Sequence, residues 1–270
     1  MVPNMQLVKE VCEEEGLPFE LMGGHPNLAE VIFAGKSYFF SYAATPFNTE
    51  DVQRISADKF LTYSLVASKI RMPKTEQYLR PDLDPELHGE IKYQSEEEIV
   101  DHIKRNFPFP LIVKMNGGSQ GKNVFKCSDE RGVEIAVKKI FADDWALLAQ
   151  ELILREKEFR VTIVNNVVEL VYTKGGFEFF QKNSKAFEEM ENFLSPLKNL
   201  INLGWAGLDV IEDKEGKLCL IEINTKPSFE SAVKHGQKEI LKPLYKKAFH
   251  YVLQSSSLQV HHEPSFQLVR

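Results

Sequence analysis

GLDVIEDKEGKLCLIEIN, residues 207–224, is the stretch on which the reading of the chain turns. Two strand-like runs, Gly207–Glu212 and Lys217–Ile223, flank an Asp213–Gly216 turn, the pattern of a β-hairpin. A strand places every second side chain on one face, so Glu222 and Asn224 point together. The hairpin brings Asp209 alongside them. Two carboxylates and an amide oxygen form a hard-oxygen cluster suited to Mg²⁺ held partly by substrate phosphates. A hairpin with a solvated polar face is the competing reading. The apolar surroundings of LCLIEIN weigh against it, because burying two carboxylates without a cation or hydrogen bonds is costly.

Two segments further back carry complementary chemistry. In LIVKMNGGSQGKNVF, residues 111–125, a strand delivers Lys114, and Gly117, Gly118, Ser119, Gln120 and Gly121 form a flexible loop before the next strand. Such a loop lets backbone N–H groups approach and cradle phosphate oxygens, while the lysine supplies a point charge. A flexible turn beside a surface lysine is the alternative, and the spacing is not that of a P-loop. In LLAQELILREKEFRVTIVNN, residues 147–166, an extended Glu151-Leu152-Ile153 can offer backbone groups to an adenine edge. Glu158 can accept from ribose hydroxyls, and Arg160 can stabilise charge on a transferred phosphoryl group. Taken alone, this segment reads equally well as an amphipathic strand with surface ion pairs.

Around these segments the pattern mixes helix and strand. A helix is expected over 5–15, then strands at Phe19–Met22 and Val31–Tyr42 with a turn at Gly35-Lys36. A helix carrying Asp58-Lys59 places Ala57, Leu61 and Leu65 on one face. Pro73–Glu90 reads as an extended connection. Ser95 with Glu98 starts a helix as a capping box. Further strands are expected at Leu111–Met115, Val124–Cys127, Ala149–Ile153, Phe159–Val164 and Val167–Tyr172, with a helix near Ala186–Leu200. Leu241, Leu244, Ala248 and Val252 mark a last amphipathic helix, and a polar, mobile tail follows from Gln254. The order predicts an α+β fold.

The 270-residue chain has a formal charge of −6 and scattered basic residues, which argues against nucleic-acid binding. No apolar run approaches the roughly 18–20 residues of a membrane span, and early carboxylates argue against a secretory signal. Cys12, Cys127 and Cys219 lie far apart, as in a reducing cytoplasm. The seven histidines show no metal-ligand spacing beyond the adjacent His261 and His262. Phe177–Phe180 reads as core or interface, with a substrate-pocket wall as the other reading.

The order of these features resembles the ATP-grasp superfamily. A lysine and glycine loop, a Glu hinge, an acid seven residues on and an arginine are followed by Asp209, with Glu222 and Asn224 at +13 and +15. Asp58-Lys59 followed by Met72-Pro73-Lys74-Thr75 is similar to the "DK … PxT" run of these enzymes. The resemblance spans about Asp58 to Leu253. It is strongest to RimK-like and glutathione- or cyanophycin-synthetase-like ligases, whose motifs Gly118-Ser119-Gln120-Gly121 and Gly207-Leu208-Asp209-Val210 resemble.

The likeness implies two α/β lobes clasping ATP, with Lys59 and Lys114 on its phosphates and the 117–121 loop closing over them. It implies Glu151, Leu152 and Ile153 on adenine and Glu158 on ribose. Asp209, Glu222 and Asn224 would hold Mg²⁺, which Mn²⁺ can replace, and Arg160 would lie toward the γ-phosphate. RimK-type enzymes carry an arginine and an FRSN-like run where this chain has Lys174 and Phe180-Gln181-Lys182-Asn183. Lys182 and Asn183 are then the residues expected to reach phosphate or metal. The implied division is a short N-terminal segment over 1–55, a truncated lobe by family standards. A lid subdomain over 56–155, a metal-binding core over 156–253 and the tail over 254–270 follow.

The implied activity is that of a cytoplasmic ligase. It joins a carboxylate to an amine through an acyl-phosphate, on an amino acid or peptide, and the likeness suggests a dimer. A small-molecule kinase and a nucleotide-binding regulatory protein without turnover are the alternatives.

Overall fold

The computed structural model describes residues 1–33, 35–84, 86, 91–118 and 121–259. Among these residues three antiparallel sheets and their covering helices make an α+β fold. The first sheet joins β1 (Phe19–Leu21), β2 (Leu28–Phe33) and β3 (Lys36–Ser41) in that order. It packs with helix α1 (Pro3–Glu15) and the final helix Lys238–Gln259 around Trp205, Tyr245 and Phe249. Among the described residues no helix is long and apolar enough to cross a membrane.

The second sheet has the order β4-β7-β5-β6, from β4 (Thr75–Leu79), β5 (Leu111–Met115), β6 (Val124–Cys127) and β7 (Ala146–Glu151). Helices Glu96–Asn106 and Glu130–Asp143 cover it through Ile99, Ile103, Val133, Val137 and Ile140. The capping box at Ser95 is observed: its hydroxyl accepts from Glu98 N–H at 3.2 Å, and Glu98 Oε2 accepts from Gln94 N–H, one residue earlier than the standard box. The third sheet has the order β11-β10-β8-β9, from β8 (Arg155–Val164), β9 (Val167–Thr173), β10 (Trp205–Asp213) and β11 (Leu218–Asn224). The hairpin expected at 207–224 is β10–β11, closed by Asp213, whose carboxylate accepts from Glu215 and Lys217 N–H.

Several expectations need correction. The helix through Asp58-Lys59 is two helices, α2 (Glu50–Ala57) and α3 (Lys59–Val66), broken where Asp58 turns extended to cap α3. Its Oδ1 accepts from Phe60 and Leu61 N–H, a local bond that competes with helix continuation. The break rotates the buried face: Thr62 and Val66 go inside, while Leu61 is 50% exposed.

The connection at 73–90 contains β4, and part of it (85 and 87–90) lies outside the described residues. Helix Glu130–Asp143 has no counterpart in the reading of the sequence, although Asp129 caps it and its apolar residues recur at helical spacing. The strand expected at 149–153 ends at Glu151, and the helix expected over 186–200 gives way to a 3₁₀ turn at Ser195. The last helix runs to Gln259, so residues 254–259 are helical, and 260–270 lie outside the described residues.

Candidate active site

A cleft of about 1270 Å³ lies between the second and third sheets. Lys59, Lys114, Gly117, Gly118, Gly121, Glu151, Leu152, Ile153, Glu158, Arg160, Asp209, Glu222 and Asn224 all line it. Ser119 and Gln120 of the same loop lie outside the described residues. Lys182 and Asn183 are not among its described lining residues. Lys182 instead sits 2.7 Å from Glu169 Oε2 on β9, although Lys174 and Phe177 of the same segment line the cleft.

The second sheet supplies cations. Lys114 on β5 is only 7% exposed, and its ammonium donates to Gln150 Oε1 at 2.9 Å. Burial pulls its pKa down to about 8, helped by Lys59, while Glu222 across the cleft acts the other way. Lys59 opens α3 and donates to the carbonyls of Asn116, Gly117 and Gly118 at 3.3, 3.2 and 2.8 Å. Asn116 ties the glycine loop to the same helix end, donating to Asp58 Oδ2 and accepting from Phe60 N–H. Gly118 has φ +80°, in the left-handed region that favours glycine, and only the mobile end of Met115 lies close to it.

The hinge is partly committed already. Glu151 N–H donates to Lys74 O at 2.9 Å, so that donor is already used, and Leu152, Ile153 and Leu154 line the cleft after it. The Glu158 carboxylate is held by Arg155 at 2.5 Å and by Lys174. Arg155 and Lys174 are thus the cations beside the expected ribose acid.

The third sheet supplies carboxylates. Tyr172, Arg160, Asp209 and Glu222 are successive Cα partners across β9, β8, β10 and β11, one row on one face. Arg160 pairs with Asp209. Burial lifts the Asp209 pKa to about 6, Arg160 opposes that, and Glu222 adds to it. Asn224 lies opposite Gly207, and its Oδ1 accepts from Lys226 N–H at 2.8 Å. A Cβ on Gly207 would meet Pro227 Cβ at 2.7 Å, so glycine lets the 225–229 loop lie against β10.

Among the described residues no group of three or more His, Cys, Asp and Glu side chains could hold a metal ion. Any metal here would rest on the Asp209–Glu222 pair, the Asn224 oxygen and ligand oxygens. The residues fit Mg-ATP on two observations: a buried lysine with a neutral partner, and two adjoining acids, one of them with its pKa raised by burial.

The sequence reading missed Gln150 as a site residue, although a lone amide in the buried run Ala146–Gln150 was a signal. It also missed Lys126, Arg155, Lys214 and Lys226 on the cleft wall, exposed cations that no local pattern distinguishes from surface charge. Phe177 does line the cleft, stacked between Tyr172 and His235 at centroid distances of 5.8 and 4.4 Å.

Comparison with known proteins agrees with this architecture. The uncharacterized protein MG012 of Mycoplasma genitalium is 29% identical over 136 residues, 46% of this chain and 46% of that protein. A protein of Stenotrophomonas maltophilia named Probable alpha-L-glutamate ligase is 29% identical over 204 residues, 70% of this chain and 63% of the relative. The chain therefore spans less than two thirds of the length of these relatives. The solved D-alanine–D-alanine ligase of Coxiella burnetii superposes with a TM-score of 0.57 at 16% identity. It covers 79% of this chain and 63% of that one, a likeness of fold. The model of the RimK-like ATP-grasp domain matches residues 57–246, from the end of α2 into the last helix. The chain belongs to the RimK-like ATP-grasp family.

Proposed function

We propose that the chain is an ATP-dependent carboxylate–amine ligase that forms an amide bond on an amino acid or peptide. One observation carries the reading: Lys59 and Lys114 from one side and Asp209 and Glu222 from the other converge on a single cleft. Nine lysine and arginine side chains and four carboxylates are among its described lining residues, in a chain of net charge −6. That local excess of positive charge suits a polyanionic ligand. The alpha-L-glutamate ligase relative supports the amide-forming chemistry by its name.

In this reading Lys59 and Lys114 hold nucleotide phosphates, under the loop that includes Gly117, Gly118, Ser119, Gln120 and Gly121. Glu151, Leu152 and Ile153 take adenine, and Glu158 takes ribose. Asp209, Glu222 and Asn224 hold Mg²⁺, with Mn²⁺ as a substitute. Held there, the metal would supply positive charge to offset that of the phosphates. The substrate carboxylate oxygen attacks the γ-phosphorus, the bond to the β-phosphate oxygen breaks, and ADP leaves. The amine nitrogen then attacks the acyl carbon and inorganic phosphate departs. Arg160, fixed by Asp209, stabilises the charge that builds up on the transferred group. Catalysis is then mainly positioning and electrostatics.

The test is release of ADP and phosphate from Mg-ATP with pooled amino acids and short peptides, followed by mass spectrometry. Free phosphate with a condensed product lighter by one water is expected. ADP with a phosphorylated acceptor would replace the ligase with a kinase. ATP binding without turnover on any such substrate would point to a regulatory protein.

A further inference from the structure

Lys114 is the most buried cation of the cleft, and the family likeness assigns no role to the side chains that orient it. Its ammonium has three N–H donors. One goes to Gln150 Oε1 at 2.9 Å. No carboxylate lies within ion-pair distance among the described residues, so the remaining donors are left for a ligand. Gln150 is itself held: its Nε2 donates to Thr75 Oγ1 at 2.8 Å. The Thr75 hydroxyl in turn donates to the Pro73 carbonyl at 2.9 Å.

Each link fixes the direction of the next. A carbonyl can only accept, so the Thr75 proton goes to Pro73 and its lone pairs face Gln150. The Gln150 NH₂ must therefore face Thr75, which leaves its oxygen, and never its nitrogen, toward Lys114. Thr75 on β4 and Gln150 on β7 are directly paired, and Lys114 on β5 lies diagonally across β7. All three are buried, with Thr75 at 4% and Gln150 at 7% exposure, so little water competes for these bonds. Gln150 lines the cleft, while Thr75 stands behind it.

The geometry points to Thr75 and Gln150 as a positioning relay that aims the Lys114 ammonium at the nucleotide phosphates. This rests on the nucleotide-binding reading of the cleft. An amide serves here where a carboxylate would not. A neutral acceptor orients the lysine without cancelling the charge that the phosphates need. Thr75 touches no ligand and acts through Gln150.

The experiment compares Mg-ATP and adenosine binding by calorimetry in the full chain and its Thr75→Val, Thr75→Ser and Gln150→Glu variants. Thr75→Val keeps the shape, removes the acceptor that holds the Gln150 NH₂ so that the amide is no longer fixed in line with Lys114, and should weaken Mg-ATP by about tenfold. Adenosine, which has no phosphates, should bind as in the wild type. Thr75→Ser should restore Mg-ATP affinity to within about threefold. Gln150→Glu should weaken Mg-ATP and spare adenosine, and it decides the matter should Thr75→Val not fold. Unchanged Mg-ATP affinity in Thr75→Val, equal loss of both ligands, or failure of serine to rescue would overturn the relay. A wild type that binds neither ligand would overturn the nucleotide-binding reading itself.

Discussion

The two sheets that face each other across the cleft manage charge in opposite ways. The second sheet buries Lys114 against a neutral amide, and the loop after β5 holds Lys59 of α3 by backbone carbonyls. Among the described residues neither cation is cancelled by a carboxylate at ion-pair distance. The third sheet places Asp209 between Arg160 and Glu222, so its acids are partly compensated and partly crowded. One wall therefore offers open positive charge, and the other a carboxylate pair that gains from a cation. Two sheets with cancelled charges would form a stable but inert interface. Leaving both unbalanced costs stability in the free protein and favours a ligand that carries both signs, such as a metal–nucleotide complex.

Breaking the acidic wall should have the largest effect. Glu222→Gln should reduce metal-dependent turnover by at least about a thousandfold, a loss comparable to removing a key electrostatic group elsewhere. Its melting temperature should stay within a few degrees of the wild type, read by calorimetry beside the assay.

Breaking the cationic wall should cost less in turnover and reveal the cost of burying charge. Lys114→Met should weaken Mg-ATP on the order of a hundredfold, measured by equilibrium titration, through loss of charge-assisted bonds. The same variant should be more stable than the wild type at pH 7. The folded pKa of Lys114, about 8, lies below its ordinary 10.5, so the charged form is disfavoured by folding. That penalty is present below pH 8 and is relieved as pH rises toward the unfolded value. Thermal melts at pH 7 and pH 10 should show the variant's advantage shrinking.

The same shift sharpens the comparison through pH alone. Mg-ATP affinity should fall as pH rises through about 8, where the free protein's Lys114 loses its proton. Lys114→Arg should flatten that arm, because a guanidinium stays charged. The smallest effect is expected away from the cleft. Asp129 caps helix Glu130–Asp143 by accepting from Gly132 N–H at 2.8 Å. Asp129→Ala should cost about 1 kcal/mol of stability in denaturant melts and leave Mg-ATP affinity unchanged.

How much of this was legible in the sequence follows from the same contrast. The acidic wall lies on one hairpin, where strand alternation and a glycine turn align Asp209, Glu222 and Asn224 within 18 residues. Period-two geometry is local, so it could be read directly. The cationic wall draws on residues from Lys59 to Gln150, and the lysine's partner is set by pairing among β4, β7 and β5. Nothing local marks Thr75 or Gln150 as neighbours of Lys114. The Asp58 break was hidden because side-chain capping overrode a continuous apolar face. Lys182 and Asn183 rested on a likeness of motif, and the path of the 174–184 segment put Lys182 on Glu169 instead.

The most direct test of the opposed walls is titration of ATP, with and without Mg²⁺, into the wild type and Glu222→Gln. The wild type should bind ATP more tightly with Mg²⁺, and the variant should bind it with one affinity in both conditions. A variant that keeps the full Mg²⁺ effect, or a wild type that binds no ATP in either condition, would contradict the division of the cleft into a phosphate wall and a metal wall.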